Sequence, residues 1–138
     1  MRRRTGVVVG GGSGIGRATC ALMTKRFANV VVVDKERDRA DATARALSGP
    51  DATVSPFDCD IRSLDRVETL CRTIEAEYGP IDSLVVTAGI TQGGGITEAD
   101  PDAWLSILET NILGVAHCLR AFLPAAGRRT SSRPIHDL

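Results

Sequence analysis

The 138-residue sequence has no excess of charge of either sign, because 17 lysine and arginine residues are balanced by 17 aspartate and glutamate residues. Without a basic excess, a protein lacks the long-range attraction on which sequence-independent binding to nucleic acids or anionic membranes depends. The basic clusters lie at the two ends, at 2–4 and 128–133, and we interpret them as solvated termini. We therefore expect neither nucleic acid nor a membrane as a partner.

Long hydrophobic runs and paired cysteines are also lacking. The first apolar run is broken by glycines at 10–12, so neither a secretion signal nor a membrane span is predicted. The spacing of the cysteines contains no C-x-x-C pair, which argues against a zinc or redox motif; they are Cys20, Cys59, Cys71 and Cys118. We predict no metal site, and a reducing, cytoplasmic location.

Four short apolar segments alternate with helical patterns, at 5–9, 29–34, 53–57 and 81–87. This alternation is typical of β-α-β units around a parallel sheet that is buried on both faces. The clearest helix lies between the third and fourth segments. Ser63 is its candidate N-cap, and an apolar stripe follows at helical spacing: Val67, Leu70, Cys71, Ile74 and Tyr78.

Two other connections also have helical patterns. The segment 15–27 is apolar on nearly all sides, as expected for a helix packed on a sheet. A weaker pattern on the second connection, which stops before Gly49 and Pro50, consists of Ala40, Ala44 and Leu47.

The chain changes character twice after the fourth strand. A loose stretch at 91–99 leads to Asp100 and Pro101, which we predict to be the N-cap and first residue of a helix that reaches about Leu123. From 125 to 138 no apolar period is visible, and we predict a disordered tail there.

Six of the 14 glycines lie between Gly6 and Gly16, at the junction of the first strand and helix. Residues without a Cβ let backbone N–H groups face a phosphate at the positive end of a helix. The spacing G-x-x-x-G-x-G fits neither the G-x-G-x-x-G fingerprint nor the NTPase phosphate loop, because Arg17 and Ala18 follow Gly16. The sequence indicates a nucleotide-binding turn, and a plain tight turn is the alternative.

Asp34 ends the second strand, eighteen residues beyond Gly16. A carboxylate at this place can accept both hydrogen bonds of an adenosine ribose diol and repels a 2′-phosphate. Asp34 therefore predicts NAD in preference to NADP. The alternative is an ordinary strand-end acid beside Lys35.

From Thr5 to about Pro124 the chain resembles the classical short-chain dehydrogenase/reductase family, of which it covers about half of a usual member. The resemblance rests on five features: the glycine motif, Asp34, the segment 58–61, the segment 82–90, and Asn111 with Gly114. It implies that Asp60 meets the adenine and that these residues bind the cofactor: Gly10, Gly12, Ser13, Gly14, Ile15, Gly16, Asp34, Asp60, Ile61, Thr87, Ala88 and Gly89.

Three positions depart from the family pattern. Val9 stands where a threonine usually begins the glycine motif, and Val86 and Thr87 replace two asparagines. Thr87 is then the only side chain there able to form a hydrogen bond, and we expect weaker bracing between the central sheet and the glycine turn.

Asn111 has two interpretations. It lies inside a predicted helical stripe formed by Trp104, Leu108, Val115, Leu119 and Phe122. A buried amide needs partners, so Asn111 could be a satisfied core amide bonded to a backbone carbonyl. The resemblance implies instead a catalytic residue whose carbonyl positions a water in a proton relay.

The catalytic pair of the family, Tyr-x-x-x-Lys, is missing from this sequence. Tyr78 is the only tyrosine and is followed four residues later by Asp82, whereas Lys25 and Lys35 both lie upstream. We interpret Tyr78 as a core residue. Ser131 and Ser132 lie in a segment unlike a buried strand, and no catalytic or metal-binding role is predicted for His117 or His136.

We predict a Rossmann-like doubly wound α/β domain at 1–124, with strand order 3-2-1-4, truncated after the fourth strand and its following helix. The predicted function is hydride transfer between nicotinamide and an alcohol or carbonyl substrate, with NAD as cofactor and this short form inactive on its own. The alternative is a non-catalytic dinucleotide-binding or interaction module. A frameshift, a truncation or a genuine short form would each explain the change near Ala125. The open edge of the fourth strand predicts marginal stability and self-association.

Overall fold

A computed structural model, which describes residues 3–127, has one sheet of four parallel strands with helices on both faces. The strands are β1 (Thr5–Val9), β2 (Asn29–Asp34), β3 (Thr53–Asp58) and β4 (Ile81–Val86), in the order β3-β2-β1-β4. Helices α1 (Gly14–Met23), α2 (Arg37–Leu47) and α3 (Leu64–Tyr78) connect them. The predicted doubly wound fold and strand order are confirmed. Strand β3 is one residue longer than predicted and β4 is one residue shorter.

The two central strands form the core because they are valine-rich and buried along their whole length. Side chains alternate between the two faces of the sheet. Val7, Val9 and Val31 therefore pack toward α3, and Val8 and Val32 pack on the face where residues of α1 and α2 lie. The stripe predicted on α3 is confirmed. Its N-cap is Ser63, whose hydroxyl accepts a hydrogen bond from the Arg66 N–H at 3.4 Å.

Helix α1 differs from its prediction. It ends at Met23 rather than near Phe27, and it is not apolar-packed on all sides, since Ile15 is 78% exposed and Leu22 is 64% exposed. Only Gly16, Cys20 and Met23 are buried. Hydrophobic residues on the outer side of α1 made the sequence pattern look fully buried, although one face of the sheet can cover only one side of a helix.

The long helix after β4 begins as predicted, with Asp100 as N-cap and Pro101 as its first residue. It consists of α4 (Pro101–Leu108), a π-helical segment at Glu109–Gly114 and α5 (Val115–Gly127). A π segment takes more residues per turn than an α-helix, so it shifts the faces before and after it. Trp104, Leu108 and Leu119 are exposed, and the predicted stripe is wrong in that respect. Among residues 101–124, those that are buried are Gly114, Cys118 and Phe122.

The two edges of the sheet differ in their open hydrogen-bonding groups. On β3, the Ser48 hydroxyl accepts from the Val54 N–H and donates to the Val54 carbonyl, both at 3.2 Å, and Pro56 has no N–H. On β4, Thr87 N–H donates to Val9, so parallel pairing turns the N–H groups of Leu84 and Val86 outward. Within the described residues, β4 is the edge that can accept another strand.

The predicted tail falls mostly outside the described residues. Helix α5 continues to Gly127, beyond the predicted end near Leu123. Residues 128–138, with Ser131, Ser132 and His136, are outside the described part, and the predicted domain boundary stays a prediction.

Candidate functional site

A cleft of about 700 Å³ opens at the carboxyl ends of the strands. Parallel α/β sheets bind ligands at this edge, where the strand order reverses. Eleven of the twelve predicted cofactor residues line the cleft. They are Gly10, Ser13, Gly14, Ile15, Gly16, Asp34, Asp60, Ile61, Thr87, Ala88 and Gly89.

The glycine turn is held by the sheet on one side and is open on the other. The N–H groups of Gly10 and Gly11 donate to the Val33 carbonyl at 2.7 and 3.0 Å. A Cβ on Gly16 would collide with the carbonyl of Gly10, whereas a Cβ on Gly14 would have nothing within 4 Å, although φ there is +50°. Gly14 therefore leaves an open space above the start of α1.

The N-terminus of α1 faces this space without an anionic or side-chain cap. Ser13 is the N-cap residue, but its hydroxyl makes no capping hydrogen bond, and the first turn contains no acidic residue. The first N–H groups of a helix have no partner within it and carry partial positive charge. Uncapped N–H groups of this kind form a binding site for a phosphate.

Thr87 braces the glycine turn against β1. Its hydroxyl lies 3.1 Å from the Val9 carbonyl and 3.3 Å from the Gly10 carbonyl, to which it donates, and its N–H donates to Val9 at 2.8 Å. Thr87 is thus one side chain that spans the junction, in line with the interpretation of Thr87 as the remaining hydrogen-bonding group there. The expected weaker bracing stays a prediction.

Asp34 is 9% exposed and lies beneath the glycine turn. One carboxylate oxygen accepts from the Gly12 N–H at 3.0 Å, and the other accepts from the Glu36 N–H at 3.0 Å. Gly12 does not line the cleft. A Cβ there would lie 2.5 Å from the Asp34 carboxylate, so Gly12 acts by letting the turn approach Asp34. Each carboxylate oxygen keeps a further lone pair for a ligand.

Asp60 faces the cleft in an ion pair. Arg62 binds its carboxylate with contacts of 2.6 to 3.1 Å, and Lys35 lies 4.0 Å away. The hydrogen bond from Arg62 lowers the pKa of Asp60 to about 2. The negative charge of Asp60 is thus neutralised locally by two cationic side chains of the cleft.

Asn111 lies in the π segment and holds the loop after β4. Its amide oxygen accepts from the Ile90 N–H at 2.8 Å, and its amide nitrogen donates to the Ile90 carbonyl at 2.9 Å. A Cβ on Gly89 would lie 3.3 Å from the Asn111 oxygen. Both amide atoms of the side chain are therefore bonded to the backbone of Ile90, which leaves one lone pair on the oxygen and one N–H for another partner.

Comparisons with known proteins agree with this geometry. The family model described as short chain dehydrogenase matches residues 4–133. The chain belongs to this family. A short chain dehydrogenase of Pseudocercospora fijiensis is 31% identical over 137 residues, which cover 98% of this chain and 44% of that protein.

Solved short-chain dehydrogenase/reductase structures share the fold. The glucose/ribitol dehydrogenase-type member from Brucella melitensis has a TM-score of 0.82 and 33% identity, covering 91% of this chain and 53% of that one. Actinorhodin polyketide ketoreductase, solved with NADPH, has a TM-score of 0.84 and 30% identity, covering 92% and 50%. The chain spans about half the length of these relatives.

Several residues of this short-chain dehydrogenase cleft were missed from the sequence. They are Val9, Lys35, Glu36, Arg39, Cys59, Arg62, Ile90, Ser106 and Thr110. Ser106 and Thr110 are four residues apart on the long helix, and this spacing of two hydroxyls on one helix face was the signal that could have found them. The charged residues gave no such signal, because their part in the cleft depends on how α2 and α3 begin.

Other candidate residues lie away from the cleft. Tyr78 packs partly buried against the core, and burial is the main cause that raises its pKa. His117 is on α5. Among residues 3–127 no group of acidic, cysteine or histidine side chains has the geometry of a metal site. In the same range, no helix combines the length and apolar character needed to cross a membrane.

Proposed function

We propose that the cleft binds a nicotinamide dinucleotide, as the cofactor-binding part of an oxidoreductase that transfers hydride between nicotinamide and an alcohol or carbonyl compound. The observation that carries this proposal is the convergence of eleven predicted cofactor residues on one cleft beside the uncapped start of α1. The volume of about 700 Å³ lies within the usual range for sites of small ligands. When bound, the nicotinamide supplies the hydride chemistry; the chain's own residues bind and orient it.

We further propose that this chain prefers NAD. The proposal is supported by the buried Asp34, because each of its carboxylate oxygens keeps a lone pair that could accept from a hydroxyl of the adenosine ribose. A relative of similar fold was solved with NADPH, so the fold itself does not select the cofactor. In our proposal Asp34 selects NAD, because its charge repels the 2′-phosphate of NADP. Lys35 and Arg39 line the same cleft and would attract that phosphate, so the effect of Asp34 must outweigh theirs.

We do not expect turnover by this polypeptide alone. The sequence contains no Tyr-x-x-x-Lys pair, and the pKa of Tyr78 is raised by burial, whereas an acid/base tyrosine needs a lowered one. Asn111 lacks a proton to release. The second candidate function is a dinucleotide-binding or interaction module without catalysis. We keep the predicted cytoplasmic location as a proposal, which the four cysteines in thiol form support.

The test is calorimetric binding of NAD to the wild type and to two glycine variants. In Gly14→Ala the new methyl group meets no protein atom within 4 Å but enters the open space at α1. Gly79→Ala controls for a methyl group added at a glycine of positive φ outside the cleft: Gly79 caps α3 with φ +77° and ψ −162°, and nothing lies within 4 Å of the added Cβ. We expect at least about tenfold weaker binding in Gly14→Ala only, since a methyl group would displace the phosphate.

Absence of NAD binding in the wild type, or equal loss in both variants, would contradict the proposed site. A second assay separates the two candidate functions. Absorbance at the reduced-nicotinamide band is followed with a panel of alcohols and ketones, for the wild type and Asn111→Ala. Binding without turnover is the expected result. Turnover that Asn111→Ala abolishes would show that a proton donor exists which we have not identified.

A further inference from the structure

A side chain of the long helix is hydrogen-bonded to the turn after β3, at 60–63. The Nδ1 atom of His117 lies 2.8 Å from the carbonyl oxygen of Ile61, fifty-six residues earlier in the chain. His117 is half-buried and does not line the cleft, whereas Ile61 does. A carbonyl can only accept, so Nδ1 carries the proton and donates it.

The side chain of Ile61 also packs against the long helix, and this contact holds the same turn in place. A Cβ on Gly114 would lie 2.6 Å from Cγ1 of Ile61, so the helix backbone and the isoleucine are in direct contact. Ile61 is 5% exposed and belongs to the core cluster that includes Cys118 and Phe122. The hydrogen bond from His117 and the contact at Gly114 together leave the turn little freedom.

The long helix therefore holds both walls of the cleft. Asn111 binds Ile90 on the wall that follows β4, and His117 binds Ile61 on the wall that follows β3. The two side chains flank Gly114, where the π segment ends. The distance between the two walls is thus set by a short stretch of one helix.

We propose that His117 is a positioning residue for the adenine side of the bound dinucleotide. It acts through the carbonyl of Ile61, which keeps the turn with Asp60 and Arg62 at the edge of the cleft. This inference rests on the proposed function, because it assumes that the cleft holds a dinucleotide. It adds a residue that makes no contact with the cleft itself.

The experiment compares His117→Asn with His117→Leu. The Asn amide nitrogen can occupy the place of Nδ1 and donate to Ile61, whereas Leu has a similar shape and no donor. Calorimetry measures the affinity for AMP, ADP-ribose and nicotinamide mononucleotide. We expect His117→Leu to bind AMP and ADP-ribose up to about tenfold more weakly, because without this hydrogen bond the turn occupies its binding-competent position for a smaller fraction of the time. Binding of nicotinamide mononucleotide is expected to stay unchanged, and His117→Asn is expected to stay near the wild type.

Two measurements keep the outcome clear. Imidazole ¹⁵N shifts of the wild type report the Nδ1–H tautomer directly, without any ligand, and the Nε2–H tautomer would overturn the proposal. Equal affinities of the Asn and Leu variants, or equal loss for AMP and nicotinamide mononucleotide, would also overturn it while leaving the proposed function intact. Failure of the wild type to bind any of the three ligands would reject the proposed function, and this inference with it.

Discussion

Replacing Asp34 with asparagine is the sharpest perturbation of cofactor choice. Asparagine keeps the shape of the side chain and one acceptor oxygen but removes the negative charge. The substitution also affects the fold, because the carboxylate accepts from both Gly12 and Glu36 at 3.0 Å. An amide oxygen can serve only one of these N–H groups well, so we expect a loss of about 1–2 kcal/mol in the free energy of unfolding.

The expected change in affinity follows from the charge. A hydrogen bond to an ionised acceptor contributes about 1.5–3 kcal/mol, so losing one weakens NAD binding by roughly 10- to 150-fold. For NADP the sign reverses. Two like unit charges 4 Å apart near a protein surface repel by about 4 kcal/mol, and a 2′-phosphate would lie beside Asp34. Removing the charge leaves Lys35 and Arg39 in the cleft, and NADP binding is expected to improve.

The assay is calorimetry with NAD and NADP on the wild type, Asp34→Asn and Asp38→Asn. Asp38 is exposed in the first turn of α2 and does not line the cleft, so its variant controls for the change in net charge. Urea unfolding of each variant separates lost stability from lost affinity. The reasoning is refuted if the wild type binds NADP as tightly as NAD, or if Asp38→Asn shifts the preference as much as Asp34→Asn.

Three further predictions concern the folded state. Thr87→Val removes the hydroxyl that donates to the carbonyls of Val9 and Gly10, and we expect it to lower the free energy of unfolding by about 1 kcal/mol, roughly 3–5 °C in Tm. Thr73→Val, at an exposed position of α3, is the control, and equal losses in the two variants would contradict the bracing role. The pKa of Asp60 is lowered to about 2 from 3.8, so the contribution of its pair with Arg62 to stability is present above pH 4 and is lost as the pH falls toward 2. We expect the difference in unfolding free energy between the wild type and Asp60→Asn to shrink in that window. A difference that stays constant would count against the Arg62 pair. Concentration-dependent self-association through β4 is expected in light scattering at tens of micromolar, and a monodisperse monomer there would reject it.

Local sequence signals were sufficient for the framework of the fold. Valine runs in β1 and β2 predicted buried parallel strands, because a strand covered on both faces needs apolar residues at every position. Ser63 and Asp100 marked the starts of their helices, because a capping side chain bonds to an N–H only two or three residues away. The glycine spacing and Asp34 likewise predicted which residues meet at the cleft.

Tertiary structure decided the features that depend on contacts between distant parts of the chain. The π segment separates the exposed Trp104 and Leu108 from the buried Cys118 and Phe122, and its last residue, Gly114, lies against Ile61. A regular helical period cannot predict this arrangement. Gly12 proved to be a contact of Asp34 rather than a lining residue, and His117 found its acceptor fifty-six residues away. Periodicity and capping arise from interactions within a few residues, so the sequence displays them. The partner of a single polar side chain depends on how whole elements pack, and no local pattern records it.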